Sequence, residues 1–336
     1  MSFEFSISIN IFLFLLSGGL IWFFSNKLSV IVEFLTEEYK LGSAFGGTLL
    51  LSVIVNLPEV VIVAYGTLKG DTSLALGNIL GGIAIQTMLL VLFDFASRKE
   101  KLPLTTLTSN VNSITQGLFL ALILGLVILG AQFKDEYVMF KAAPIELFIV
   151  GAWVLSLFLV KKCELMNIIP DQPQAELNHK KYTKRSAITY LIAIAIIILF
   201  FGVILANTSE GIANHFHVSG VIFGATILSM ITALPEISGG LAFVKHKQYQ
   251  PIISDIFGGN SFLPLLFLLA SLISSRSILT DAHKTDLYLT SLSIILTLIF
   301  TIGMVIKSPR RFLFMGLDSW AALIIYAIGI IGLTYI

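Results

Sequence analysis

The chain has 336 residues, of which 56% are hydrophobic and only 12% charged, with a mean hydropathy of +0.93; soluble domains carry about a quarter charged residues. That balance excludes an ordinary soluble domain and reads as an integral membrane protein. The net charge of +1 offers no basic face for nucleic acid, and the single Cys163 rules out an intramolecular disulfide framework or a multi-cysteine metal cage.

Long apolar segments bounded by polar residues follow one another along the chain, each near the roughly 20 residues that a helix needs to cross a bilayer. The first, 5–24, has no Lys or Arg before it, unlike the charged start of a cleavable signal, and reads as a transmembrane helix. Asn26–Leu41 interleaves Leu28, Ile31, Phe34 and Leu35 with Lys27, Glu33, Glu37 and Glu38, which suits a short helix lying along the interface. Segments 44–67, 72–96, 112–132 and 144–160 complete the first half. The longest polar stretch then follows, with K-K-C-E, I-P-D-Q-P-Q and H-K-K-Y-T-K-R; there Cys163 reads as an incidental thiol at a helix end. Beyond it come 187–206, 220–244, 250–274, 287–306 and 316–335. The short N-H-F-H stretch, with His215 and His217, has no third ligand beside it and reads as solvated.

The expectation is an all-α integral membrane fold of ten transmembrane helices. Its domains are a first five-helix repeat over 1–160, a linker over 161–186 and a second repeat over 187–336. With the N-terminus outside, only Lys69, Lys134, Lys141, Arg276 and Lys284 of the 21 Lys and Arg fall on the external face. The positive-inside rule therefore places the linker in the cytoplasm and both termini outside.

Residues 55–61 read V-N-L-P-E-V-V, a proline and a glutamate inside an apolar span, and L-P-E recurs 177 positions later in T-A-L-P-E-I-S at 232–238. At that one offset Gly47 falls on Gly224, Ser52 on Ser229, Asn78 on Asp255, and Gly81-Gly82 on Gly258-Gly259. A chance tripeptide would not keep register over some thirty-five residues, so the chain reads as a duplication. Five spans per half is an odd number, so the second half enters the membrane inverted, with broken helices 2 and 7 at the core and a substrate site between the repeats.

In that arrangement Glu59 and Glu236 approach each other, and two carboxylates in a dry interior repel unless protonated or bridged by a cation. Each proline removes a helical hydrogen bond and releases carbonyls about one turn earlier, which membrane depth tolerates only where something satisfies them. A hard divalent cation takes about six to eight oxygens. The candidate ligands are Glu59 and Glu236 for charge, Asn56 and Thr232 beside the breaks, and Asn78 and Asp255 on the following spans. A lone membrane proline is ordinarily only a kink and a glycine pair only packing. Ser52 and Ser229 are better read as bonding their own helix carbonyls. A carboxylate pair related by duplication is the stronger signal.

The pattern G-x-T-x-x-S-x-x-T-A-L-P-E, followed nineteen residues after the Glu by D-I-F-G-G-N-S-F, resembles the α-repeats of the sodium/calcium exchanger family, part of the cation/calcium antiporter superfamily. The resemblance covers nearly the whole chain. It implies glutamates that coordinate Ca²⁺ and Na⁺ alternately, and two peripheral helices that slide over a core of eight. This chain departs from the family where serines usually stand, at Gly82 and Gly259, and where Asn or Asp usually stands, at Gln86 and Leu263.

The expected function is antiport of Ca²⁺, or a similar divalent cation, for Na⁺ or H⁺, with no enzymatic activity and no cofactor beyond the transported cations. The alternatives are a monovalent cation/proton exchanger and a non-transporting ion sensor. The expected setting is a bacterial inner membrane, with the lipid bilayer and inorganic cations as partners and a monomer sufficient for transport.

Overall fold

The computed structural model describes residues 6–39, 48–70, 72–133, 144–166, 183–274, 277–333 and 335–336. The start of the expected second span, Gly47 with it, and most of the expected linker lie outside the described residues.

Helix α1 (Ile7–Glu38) is one unbroken helix of 32 residues, so the separate interfacial helix expected from Asn26 onward is corrected. No proline or glycine interrupts Asn26–Glu38. The polar side chains there bond back along the helix, Asn26 Nδ2 to Trp22 O at 2.9 Å and Ser29 Oγ to Ser25 O at 3.1 Å. The apolar residues of this stretch face α8 (Lys184–His215), another 32-residue helix: Leu28, Ile31, Phe34 and Leu35 are buried with Ala187, Ile194 and Ile198. The far end of the pair buries Phe14 and Ile21 with Leu205 and Ile212, so the two helices run antiparallel. Their outer faces are apolar and open, with Phe12 64% and Phe200 61% exposed, as lipid contact requires.

The second span is α2 (Thr48–Val55) followed by α3 (Leu57–Lys69), separated at Asn56, whose φ/ψ of −86°/17° leaves the helical region. The second-half counterpart is built alike. Helix α9 (Gly220–Phe223) passes through a π-helical turn at Gly224–Leu228 into α10 (Ser229–Thr232), breaks at Ala233 (φ/ψ −82°/1°), and resumes as α11 (Leu234–Lys245). The two pieces meet at a bend of 45°. In both cases the proline occupies the first turn of the new helix, where its missing N–H breaks no intrahelical bond.

The remaining elements are α4 (Ser73–Ala96), a short turn α5 (Leu104–Leu107), α6 (Val111–Gly130), α7 (Pro144–Met166), α12 (Gln250–Phe262), α13 (Leu266–Ser274), α14 (Lys284–Ile306) and α15 (Leu317–Leu333). A two-residue hairpin, β1 (Arg311–Phe312) with β2 (Met315–Gly316), precedes α15. Leu313 and Phe314 turn it with φ of 45° and 72°. An all-helical expectation misses this hairpin.

Among the described residues seven helices are long and apolar enough to cross a membrane, eight with the bent pair counted as one. The expected segments 44–67 and 316–335 hold shorter helices. The chain is an integral membrane protein with a helical core around α4, whose Ile79, Ile83, Leu90 and Phe93 are fully enclosed.

Candidate cation site

The broken helices meet the other half of the molecule through glycine. A Cβ on Gly77 would strike the Val221 carbonyl, and one on Gly81 would strike Ala225, so α4 lies backbone to backbone on the α9–α10 segment. A Cβ on Gly259 would stand 3.7 Å from Asn56 Nδ2, which places α12 beside the first-half break. These approaches bring residues from 52–87 and 229–260 into one buried cluster.

At its centre Glu59 is 1% exposed and neither of its carboxylate oxygens has a hydrogen-bond partner. Thr232 stands beside it from the opposite break, close enough to interact but outside hydrogen-bond geometry. Glu236 is 6% exposed, its Oε2 has no partner, and its charge neighbours are Glu59 and Asp255. Asp255 is half-buried on α12. Asn56 Nδ2 donates to Ser52 O at 2.6 Å, which fixes the amide and leaves Asn56 Oδ1 buried without a partner. Thr232 Oγ1 reaches Ser229 O at 3.3 Å. Asn78, 1% exposed, meets the Ser229 hydroxyl at 3.4 Å. All six sequence-predicted residues therefore fall in this region, Asp255 at its more open side.

Two buried carboxylates that the sequence reading passed over sharpen the contrast. Asp94 accepts from Leu104 N at 2.8 Å, Gly316 N at 2.7 Å and Ser319 Oγ at 2.7 Å, and pairs with Arg311 at 3.5 Å. Glu146 accepts from Ser271 Oγ at 2.6 Å and Ser277 Oγ at 2.8 Å. Their oxygens tie helices and loops together. Those of Glu59 and Glu236 make no such ties, and the ion pairs Lys69–Glu210, Lys184–Glu38, Lys247–Glu100 and Arg311–Asp94 lie away from them. Burying an unpaired carboxylate costs several kcal/mol, so a cation or protons must complete this pair.

Asn260 was not among the candidate ligands. It is fully buried, donates from Nδ2 to Thr87 Oγ1 at 3.1 Å and Ile83 O at 3.4 Å, and leaves Oδ1 unpartnered. Its position directly after the repeated glycine pair was the available signal. His215 and His217 are exposed, and among the described residues no group of three His, Cys, Asp or Glu side chains gathers to hold a metal. A cation here would draw on two carboxylates and neutral oxygens.

A family model described as sodium/calcium exchanger protein matches residues 9–161 and 186–335. The chain belongs to the sodium/calcium exchanger family. This is a family of secondary transporters. A curated relative, the putative antiporter CaxA of Alkalimonas amylolytica, is 27% identical over 221 residues, or 64% of this chain and 65% of that protein. The match thus spans just under two thirds of that relative's length. A solved structure of the sodium-calcium exchanger NCX_Mj, soaked with Na⁺ and Sr²⁺, covers 98% of this chain and 100% of its own, with a TM-score of 0.58 at 16% identity. The H⁺/Ca²⁺ exchanger CAX covers 96% of this chain and 86% of its own, with a TM-score of 0.59 at 16% identity. At such identities these likenesses are of fold. In this exchanger-family chain the departures from the family pattern are buried, Gln86 2% and Leu263 0% exposed.

Proposed function

We propose that the chain is a secondary-active antiporter that exchanges Ca²⁺, or a similar divalent cation, for Na⁺ or H⁺, with the ion held between Glu59 and Glu236. The observation that carries this reading is the pair of buried glutamates with unpartnered oxygens, one beside each helix break, while Asp94 and Glu146 accept hydrogen bonds from neighbouring elements. Asn56 Oδ1, Thr232, Asn78 and Asp255 supply the further oxygens, a donor set of the kind hard cations prefer. Exchange follows from charge: one divalent ion or two monovalent charges neutralise the pair, but not both together.

The fuller architecture belongs to the same proposal. Ten spans form two inverted repeats, 1–160 and 187–336, joined by a cytoplasmic linker over 161–186. Both termini are external, and a monomer in the bacterial inner membrane suffices. Helices α1 and α8 form the peripheral pair whose sliding alternates access. The names of the matched relatives and the antiparallel packing of two lipid-facing helices against both breaks support it.

The test is uptake of radioactive Ca²⁺ into proteoliposomes under an outward Na⁺ or H⁺ gradient. The wild type takes up the ion, while Glu59→Gln and Glu236→Gln lose uptake by at least about tenfold, as expected for removing one partner of a buried charge arrangement. Full uptake in both variants overturns the assignment. A second reading, exchange of monovalent cations or protons, is favoured by one observation: Leu263, Gly82 and Gly259 bring no side-chain oxygen to the cluster. Thermal stability that responds to Na⁺, K⁺ or pH and ignores Ca²⁺ supports that reading.

A further inference from the structure

Ser229 sits between the π-turn and the second break, and its hydroxyl carries a single proton. That oxygen lies 2.6 Å from Gly224 O, a short bond, and farther from Asn78, 3.3 Å to the backbone carbonyl and 3.4 Å to the side-chain amide. The one proton therefore goes to Gly224 O. A π-turn presents the i−5 carbonyl, and Gly224 stands five residues before Ser229, so the local geometry selects this acceptor. The Ser229 oxygen is then left with its lone pairs towards Asn78, whose backbone carbonyl at 3.3 Å can only accept, so the favourable contact there is with the side-chain amide and requires its NH₂.

Which end of an asparagine amide is nitrogen follows from its partners. With the Asn78 NH₂ turned to Ser229 Oγ, the amide oxygen takes the buried position that has no other partner. We propose that Ser229 is a positioning residue for the cation site: it holds the Asn78 NH₂ and thereby presents Asn78 Oδ1 as a ligand oxygen alongside Glu59 and Glu236. This deepens the proposed function and rests on it for the ion. Asn56, held by Ser52 O, and Asn260, held by Thr87 and Ile83, show the same arrangement, with nitrogen engaged and oxygen free. Ser229 reaches Glu59 through Thr232, which bonds the Ser229 carbonyl and stands beside Glu59.

A double-mutant cycle separates positioning from packing. Ser229→Ala in the wild-type background weakens Ca²⁺ binding by about three- to tenfold, the worth of one neutral hydrogen bond. In an Asn78→Asp background it changes binding less than about twofold, because a carboxylate shows oxygen at either end and needs no turning. An equal loss in both backgrounds, or no loss in the wild type, overturns the proposal. Ser229→Cys, which keeps the volume with a weak acceptor, repeats the test should the alanine variant misfold.

The orientation has its own readout without any ion. In protein labelled with ¹⁵N-asparagine, the Asn78 side-chain resonances, identified by their absence in Asn78→Asp, shift on Ser229→Ala while those of Asn56 and Asn260 stay in place. Unmoved Asn78 resonances reject the hydrogen bond itself. Ca²⁺ binding that is unaffected by Glu59→Gln and Glu236→Gln, with the Asn78 shift intact, instead counts against the shared ion reading.

Discussion

At the residue scale the adjacent glycines of α4 have opposite prospects. A Cβ on Gly81 would collide with the Ala225 backbone, whereas one on Gly82 would meet only Ser229 Oγ at 3.5 Å and Leu263 Cδ1 at 3.9 Å, ordinary contacts. Gly81→Ala is therefore expected to lower thermal stability by about 1–3 kcal/mol through overpacking, read as a fall in melting temperature in detergent. Gly82→Ser and Gly259→Ser are expected to fold at wild-type stability and to tighten cation binding, since each returns an oxygen to a place where the family usually has one. Calorimetric titration with Ca²⁺ and Na⁺ checks this; unchanged affinity for both would remove these positions from the site. The sequence showed both glycine pairs and both glutamates, because their spacing repeats. It could not show which glycine of the first pair is pressed against a neighbour. Nor could it set Asp94 and Glu146 apart from Glu59, since hydrogen-bond satisfaction depends on partners such as Ser319 and Ser277, up to 225 positions away.

At the scale of elements, the prolines begin helices. Asn56 and Ala233 occupy the space between two helical pieces, and Pro58 and Pro235 follow two residues later. Replacing Pro58 or Pro235 by Ala supplies an N–H for the carbonyl four residues earlier and favours a continuous helix through the break. Stability is expected to hold or to rise by up to about 1 kcal/mol, since substitutions that suit a helix favour it, while the gain in melting temperature that Ca²⁺ confers shrinks. A variant that keeps the full Ca²⁺-dependent gain would show that the breaks are not needed for binding. L-P-E in an apolar span made both breaks legible in advance. The continuous α1 was not, because Lys27, Glu33 and Glu38 suggested an interface, while the partner that covers Leu28 and Ile31 lies on α8, some 160 residues away. The hairpin at Arg311–Gly316 escaped notice because six residues carry no periodicity to read. Its geometry is fixed by Asp94, which accepts from Gly316, and by Arg311, which donates to Phe314 O at 2.8 Å and Leu102 O at 2.6 Å.

For the whole molecule, the question is how the α1–α8 pair is held to the rest. Much of the contact is apolar, with Gly18 against Ile231 and Gly202 against Val61. Two polar clasps add to it. On one side Trp22 Nε1 donates to Ser238 Oγ at 3.1 Å, and Ser238 Oγ donates to Asn26 Oδ1 at 2.6 Å. On the other, Tyr65 OH donates to Asn207 Oδ1 at 2.6 Å and Lys69 Nζ pairs with Glu210 at 2.7 Å. The clasps differ in kind, neutral at α11 and charged at the end of α3. Exchanging the charges, Lys69→Glu with Glu210→Lys, is expected to restore transport that either single change alters; failure of the pair to recover would deny the clasp a role. Composition and the doubled motif announced a membrane protein with related halves, but not this difference between them. Lys69 and Glu210 are each about a third exposed, at 31%, and so lie within reach of dissolved salt, which screens such pairs over roughly 8 Å at 0.15 M. Exchange should therefore respond to the ionic strength bathing that face even when the added salt is one the site cannot carry, such as choline chloride, a sensitivity to the medium that has nothing to do with which ion is bound.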